Sequence, residues 1–173
     1  MPLETMHDLM LDQLKDINSA EQQLTKAIPK MAKKASNEEL VGAFRDHLAE
    51  TEQQVRRLEQ IFTKLDESPG NKKCKGMAGL IEEAEEVLEE DGDPAVIDAA
   101  LIAAAQRVEH YEISAYGSVK AIAALLGHAN FVRLLDESQE EETAADKKLS
   151  LIATTDVNAR AAGTDPSMAA KAL

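Results

Sequence analysis

The chain has 173 residues, and its 32 acidic and 19 basic residues give a formal net charge of −13. This excess of negative charge argues against a nucleic-acid partner and against an anionic membrane surface, because both carry negative charge themselves. The single cysteine, Cys74, excludes an internal disulfide and a zinc site built from several cysteines. The sequence shows neither an apolar run long enough to span a membrane nor a secretory signal, so it predicts a cytoplasmic, helical protein.

The first two predicted helices form a hairpin. Apolar residues recur at helical spacing over residues 6–31, and Pro29 is expected to kink or loosen the end of this helix. Ser36 and Glu39 have the spacing of a capping box, which predicts the start of a second helix. An apolar seam in steps of three and four residues follows, and the breaker at residues 68–70 ends it.

A crossover and a second hairpin follow. Residues 68–93 hold a short amphipathic helix whose polar face is strongly acidic. Asp93 as N-cap and Pro94 in the first turn predict the start of a third long helix. Gly127 ends that helix, and a fourth is predicted over about residues 129–154.

Two tight hairpins joined by one long crossover are the connectivity of a ferritin-like four-helix bundle. The sequence therefore predicts an all-α fold, with an up-down bundle at residues 1–155 and a short extra helix in the crossover. Residues 156–173 are rich in small residues and predict a flexible, poorly anchored tail.

Carboxylates occupy positions that the apolar pattern assigns to the interior. A shift of 91 residues superposes the first hairpin on the second, and it places Glu21 on Glu112 and Glu50 on Glu141. Glu21 and Glu112 lie inside the apolar stripes of their helices, and Glu109 lies one turn before Glu112. Burying an ionised carboxylate is unfavourable unless protonation, a basic partner or a metal ion compensates for it.

The other two long helices carry similar candidates. On the second helix His47 lies near the apolar seam, and Glu50 follows it by three residues. On the fourth helix Glu141 and Glu142 flank the seam, and Asp146 lies one turn beyond. Glu142 is nearer the seam by helical angle, but the face alone leaves open which of Glu141 and Glu142 points inward. Four helices that place carboxylates at matching depth predict a site for two divalent metal ions bridged by carboxylates.

Several motifs resemble the YciE/YciF-type bacterial stress proteins, a ferritin-like family. The most specific match runs from Asp98 to Gln106 and continues through Val108-Glu109-His110-Tyr111-Glu112-Ile113; shorter matches lie at residues 18–24, 47–51, 74–77 and 79–83. The resemblance covers about residues 3–155. It implies a four-helix bundle with a di-metal centre, a cytosolic stress-related setting and a homodimer.

The wider rubrerythrin-like pattern corresponds to five carboxylates in this sequence: Glu21, Glu50, Glu109, Glu112 and either Glu141 or Glu142. The chain departs from that pattern because the second and fourth helices lack Glu-x-x-His, with Gln53 and Ala144 or Ala145 where histidine would stand. His47 and Asp146 are the candidates to substitute from the adjacent turns. A site that is rich in oxygen and short of imidazole favours hard ions such as Fe(II) and Mn(II).

These observations together predict a ferritin-like di-metal protein of the bacterial stress response, with iron favoured over manganese. If the protein is an enzyme, we expect an oxidoreductase of ferroxidase or peroxidase type that acts with a small oxidant, peroxide or oxygen. The predicted metal ligands are Glu21, His47, Glu50, Glu109, Glu112, Glu141, Glu142 and Asp146. The alternative is a non-enzymatic structural or partner-binding bundle with a vestigial metal site.

Overall fold

The computed structural model describes residues 3–169, and within them the fold is all-helical, as predicted. The helices are α1 (Met6–Lys34), α2 (Glu38–Leu65), α3 (Lys75–Glu89), α4 (Pro94–Leu125) and α5 (Ala129–Ile152), followed by a π-helical turn (Ala153–Val157), α6 (Asn158–Ala161) and α7 (Pro166–Ala169). No helix among the described residues is both long enough and apolar enough to cross a bilayer.

The four long helices form a bundle in which each packs against two neighbours. Helix α1 contacts α2 and α4, and α5 contacts the same two helices, so α1 and α5 occupy opposite corners. The short helix α3 lies in the crossover between α2 and α4 and packs on α1 and α4. The predicted pair of hairpins and the crossover helix are thus both present.

The buried apolar residues form two clusters at opposite ends of the bundle. Cluster I includes Leu24, Ile28, Leu40, Phe44, Leu101, Ala105, Leu149 and Ile152. Cluster II includes Met10, Leu14, Leu58, Phe62, Val119, Ala123, Phe131 and Leu135. In each cluster, residues from the beginning of one helix pack with residues from the end of its neighbour, so neighbouring helices run antiparallel.

The ends of the helices follow the predicted signals with one exception. Asp93 caps α4 by accepting bonds from two backbone amides, and Gly127 adopts the positive φ of 78° that the turn after α4 requires. The predicted capping box at Ser36 is wrong. Asn37 is the N-cap of α2 and accepts a bond from the Leu40 amide, while the Ser36 hydroxyl donates to Asp98 at 2.6 Å.

The chain stays helical at two places where the sequence predicted a disruption. Helix α1 continues through Pro29 to Lys34. After Ile152 the helical path runs past the predicted boundary at residue 155 as far as Ala161, and α6 packs against α4. Val157 and Ala159 are buried there. The end of the predicted tail, residues 170–173, lies outside the described residues.

Asp98 is a buried anchor between the two hairpins, and its removal is predicted to destabilise the fold. Its carboxylate accepts bonds from the Ser36 amide at 2.8 Å, the Ser36 hydroxyl at 2.6 Å and the Asn37 amide at 2.9 Å. We expect Asp98→Ala to lower the free energy of unfolding in urea by about 2 kcal/mol, because it leaves these donors without their acceptor. Asp91→Ala, at an exposed position, is the control, and equal urea midpoints for the two variants would contradict the prediction.

Candidate metal centre

A layer of buried polar side chains separates cluster I from cluster II. It contains Glu21 from α1, His47, Thr51 and Gln54 from α2, Glu109 and Glu112 from α4, and Glu142 from α5. On α1 the helical period that turns Ile17 and Leu24 inward also turns Glu21 inward, since these residues share one face. The layer therefore results from the helical repeat itself and needs no irregular backbone.

Four of these side chains converge on one point. His47, Glu109, Glu112 and Glu142 each offer a ligand atom, and those atoms all lie within 4.8 Å of one another. The His47 Nε2 atom is 3.4 Å from a Glu109 oxygen and 3.6 Å from a Glu142 oxygen. Three helices thus supply one imidazole and three carboxylates to a group that could hold a metal ion.

Neighbouring side chains hold two of the carboxylates in the layer. The Tyr116 hydroxyl donates a hydrogen bond to Oε1 of Glu21. The Gln54 amide donates one to Oε1 of Glu142. Each of these bonds occupies one oxygen and leaves Oε2 of the same carboxylate unpaired.

Among the described residues, every buried side-chain polar atom that lacks a hydrogen-bond partner lies in this layer. These are Glu21 Oε2, His47 Nδ1 and Nε2, Gln54 Oε1, Glu109 Oε2, both carboxylate oxygens of Glu112, and Glu142 Oε2. Each such atom costs about 1–3 kcal/mol when nothing satisfies it. Oxygen and imidazole donors of this kind are ligands for divalent ions, so the residues present fit a metal.

The electrostatics of the layer favour protons when no cation is bound. Burial raises the pKa of Glu21, Glu112 and Glu142 well above the ordinary value for glutamate, and neighbouring carboxylates add to the rise for each of them. Burial also raises the pKa of Glu109 to about 7. Burial lowers the pKa of His47, but the nearby Glu50 and Glu142 outweigh it, so that its pKa is raised.

Four residues predicted as ligands lie outside the converging group, namely Glu21, Glu50, Glu141 and Asp146. Glu21 is buried in the same polar layer. Glu141 forms a two-pronged ion pair with Arg57, at 2.6 and 2.7 Å, so we remove it from the candidate ligands in favour of Glu142. Asp146 accepts a bond from Gln106 at 2.9 Å and lies 3.4 Å from the exposed His110 ring, and it is therefore occupied elsewhere.

Glu50 lies at the edge of the layer. Its side chain is 41% exposed, and Oε2 is 3.5 Å from Nδ1 of His47. Glu50 thus contacts a residue of the converging group without belonging to it.

Thr51 and Gln54 belong to the layer but were not among the predicted site residues. Gln53 stands at the Glu-x-x-His position of α2, but it is exposed, whereas Gln54 is fully buried. A usable signal was present, because His47, Thr51, Gln54 and Leu58 follow one another in steps of four, three and four residues. Residues with that spacing share one face of a helix.

A cavity of about 210 Å³ connects this layer with the surface between α2 and α5. Its lining includes His47 and Glu109 from the converging group, together with Glu50. The remaining wall is formed by Ala43, Phe44, Asp46, Ala144, Ala145, Lys148 and Leu149.

Comparison with known proteins places the chain in a defined group. The family described as "Domain of unknown function (DUF892)" matches residues 5–162. The chain is 46% identical over 166 residues to Protein YciF of Escherichia coli strain K12, and this alignment covers 93% of the chain and 98% of YciF.

Solved structures agree with this comparison. The crystal structure of the E. coli stress protein YciF matches with a TM-score of 0.86 and covers 90% of the chain and 98% of YciF. YcfI from Rhodopseudomonas palustris matches with a TM-score of 0.83 at 48% identity, covering 86% of the chain and 94% of YcfI. A protein from Xanthomonas campestris pv. campestris, at 16% identity and a TM-score of 0.73, shares the fold, with 91% of the chain and 96% of that protein covered.

The raised pKa of Glu109 predicts how the stability of the metal-free protein depends on pH. The folded protein holds the Glu109 proton more tightly than the unfolded chain, and this difference stabilises the fold. The stabilisation is complete below the ordinary pKa of glutamate and is lost as the pH rises through about 7. After treatment with chelator, we expect the free energy of unfolding in urea to fall by about 3 kcal/mol between about pH 5 and pH 8. Unfolding that becomes harder over this interval would contradict the prediction.

Proposed function

The chain belongs to the DUF892 family, and from its buried polar layer we propose that it is a ferritin-like protein that binds two divalent metal ions. The observation that carries this proposal is the concentration of unpaired buried atoms at one level of the bundle. Buried carboxylates and an imidazole without partners destabilise the fold, whereas the same groups around bound cations make favourable contacts.

Charge balance supports two ions over one. Glu21, Glu109, Glu112 and Glu142 together carry four negative charges when ionised, and two divalent cations carry four positive charges. A single divalent ion would leave two uncompensated charges in the interior, where each is unfavourable. Carboxylates shared between neighbouring ions are the usual way in which such pairs are held in helical bundles.

The donor set indicates which ions would bind. The layer offers one imidazole, no thiolate and several carboxylate oxygens. Oxygen-rich sites suit hard ions, so the proposal names Fe(II) first and Mn(II) second. His47 would bind through a neutral ring nitrogen, and the carboxylic acids would release their protons as metal enters.

Bound iron would supply electron-transfer chemistry toward dioxygen or hydrogen peroxide, and the proposed reaction is oxidation of Fe(II) or reduction of peroxide. The chain's own side chains would prepare the site for this. Tyr116 fixes one oxygen of Glu21, and Gln54 fixes one oxygen of Glu142, so the free oxygens of both carboxylates are oriented before metal arrives.

The proposed setting is a bacterial stress response, with a cytoplasmic homodimer as the working form. The support for a stress role is 46% identity to E. coli YciF, which is described as a stress protein. The net charge of −13 supports the absence of a nucleic-acid partner. Gel filtration with light scattering tests the dimer, and a monomer at micromolar concentration would contradict it.

A second candidate function is a non-enzymatic structural bundle in which the layer binds no metal. It is favoured by the similarity to YcfI, which is described as a proposed structural protein of R. palustris. In this case the buried glutamates would stay protonated, and no divalent ion would change the melting temperature.

Anaerobic titration with Fe(II) or Mn(II) separates the two candidates. For the metal-free protein we expect binding to approach two ions per chain and to raise the melting temperature, because a ligand of the native state alone stabilises that state. Metal analysis after gel filtration measures the number of bound ions, and thermal unfolding measures the shift.

Glu112→Gln is the variant of choice for this titration, because both oxygens of Glu112 lack hydrogen bonds and the substitution removes mainly charge. We expect it to stabilise the metal-free protein at about pH 8 and to reduce binding at least tenfold. Glu140→Gln makes the same chemical change at an exposed position on α5 and should leave both quantities unchanged. Fewer than one bound ion in the unsubstituted protein would refute the metal proposal.

A further inference from the structure

The cavity between α2 and α5 presents carboxylates in a graded series from solvent to interior. The side chain of Asp46 is 68% exposed, that of Glu50 is 41% exposed and that of Glu109 is 3% exposed. All three line the same cavity, and His47, whose side chain is 8% exposed, lies between Glu50 and Glu109 in contact with both. A positive ion would therefore meet a carboxylate at every depth.

Part of the cavity lining is small and apolar. Ala43 on α2 and Ala144 and Ala145 on α5 belong to this part, and their short side chains leave the volume of about 210 Å³ open. Since a water molecule takes about 30 Å³ in the liquid, this volume holds several waters. A divalent ion could thus enter with part of its hydration shell and exchange those waters for protein oxygens step by step.

An ion pair lies at the outer end of the cavity. Lys148 on α5 donates to Asp46 on α2 at 2.7 Å, and both side chains line the cavity. Lys148 thus places a positive charge beside Asp46 on the path that an entering ion would take. Because this ion pair is neutral as a whole, Asp46 attracts an entering cation only when the pair opens, and the pair should therefore slow uptake.

We infer that this cavity is the entry route for the divalent ion, that Glu50 is a transient ligand that passes the ion to His47 and Glu109, and that the Lys148–Asp46 pair limits the rate. Oε2 of Glu50 lies 3.5 Å from Nδ1 of His47, so an ion bound to Glu50 is already close to the next ligand, His47. This inference rests on the proposed function, because it needs a metal that binds in the layer.

The apolar part of the lining would also admit a small uncharged oxidant, but the carboxylates favour a cation. An uncharged molecule gains nothing from Glu50 and Glu109, whereas a divalent ion gains at both, and also at Asp46 once the ion pair with Lys148 is open. The cation route predicts that charge changes in the lining alter the speed of metal uptake. An oxidant route predicts that such changes leave uptake unaffected.

The test is stopped-flow mixing of the metal-free protein with Co(II), followed by visible absorbance, and metal analysis of the final state. We expect Glu50→Gln to slow uptake by about threefold or more while the final number of bound ions stays the same. Lys148→Ala should speed uptake. Ala145→Leu, which fills the cavity, should slow both uptake and release into chelator.

Glu52→Gln is the matched control for Glu50→Gln. Glu52 lies on the same helix, is exposed and does not line the cavity, so its substitution changes the net charge equally. Equal uptake rates for the two variants would overturn the inference, and so would a lower final number of bound ions in Glu50→Gln, which would make Glu50 a permanent ligand. If the unsubstituted protein takes up no Co(II), Mn(II) or Fe(II), the proposed function itself fails.

Discussion

The removal of several carboxylates from water, all at one level of a helical bundle, is the physical constraint on which the rest of this structure depends. Glu21, Glu109, Glu112 and Glu142 are all buried. Their mutual repulsion and loss of hydration oppose folding, so the apolar clusters on either side must hold the four helices together across the layer. The division of the core into two clusters is thus a direct consequence of the layer.

The contrast between Glu141 and Glu142 shows how surroundings decide what a carboxylate can do. Both are on α5, one residue apart. Glu141 faces Arg57 of α2 and is fully paired with it, which leaves it no free charge to offer a metal. Glu142 faces the interior, has one oxygen held by Gln54 and keeps the other unpaired. A rotation of about 100° around the helix axis separates a partly buried ion pair from a candidate ligand.

The helices and the central carboxylates were predictable from sequence because both follow from helical periodicity. Glu21 and Glu112 lie within apolar stripes, so their burial follows once the helices pack. The choice between Glu141 and Glu142 was only partly predictable, since the helical angle puts Glu142 nearer the seam but the deciding partner, Arg57, comes from another helix. The prediction of a capping box at Ser36 failed for the same reason. Asp98, which lies far along the chain, accepts hydrogen bonds from both the amide and the hydroxyl of Ser36.

The same constraint bears on the choice between a metal protein and a purely structural bundle. A protonated glutamic acid still needs an acceptor for its proton, yet neither oxygen of Glu112 has a hydrogen-bond partner. The two nitrogens of His47 are equally without a bond. A bundle with a structural role alone would keep these unfavourable groups without gain, and apolar residues of similar size would make it more stable. Cations between the carboxylates turn the same groups into favourable contacts, and the proposal of a metal centre follows from that difference.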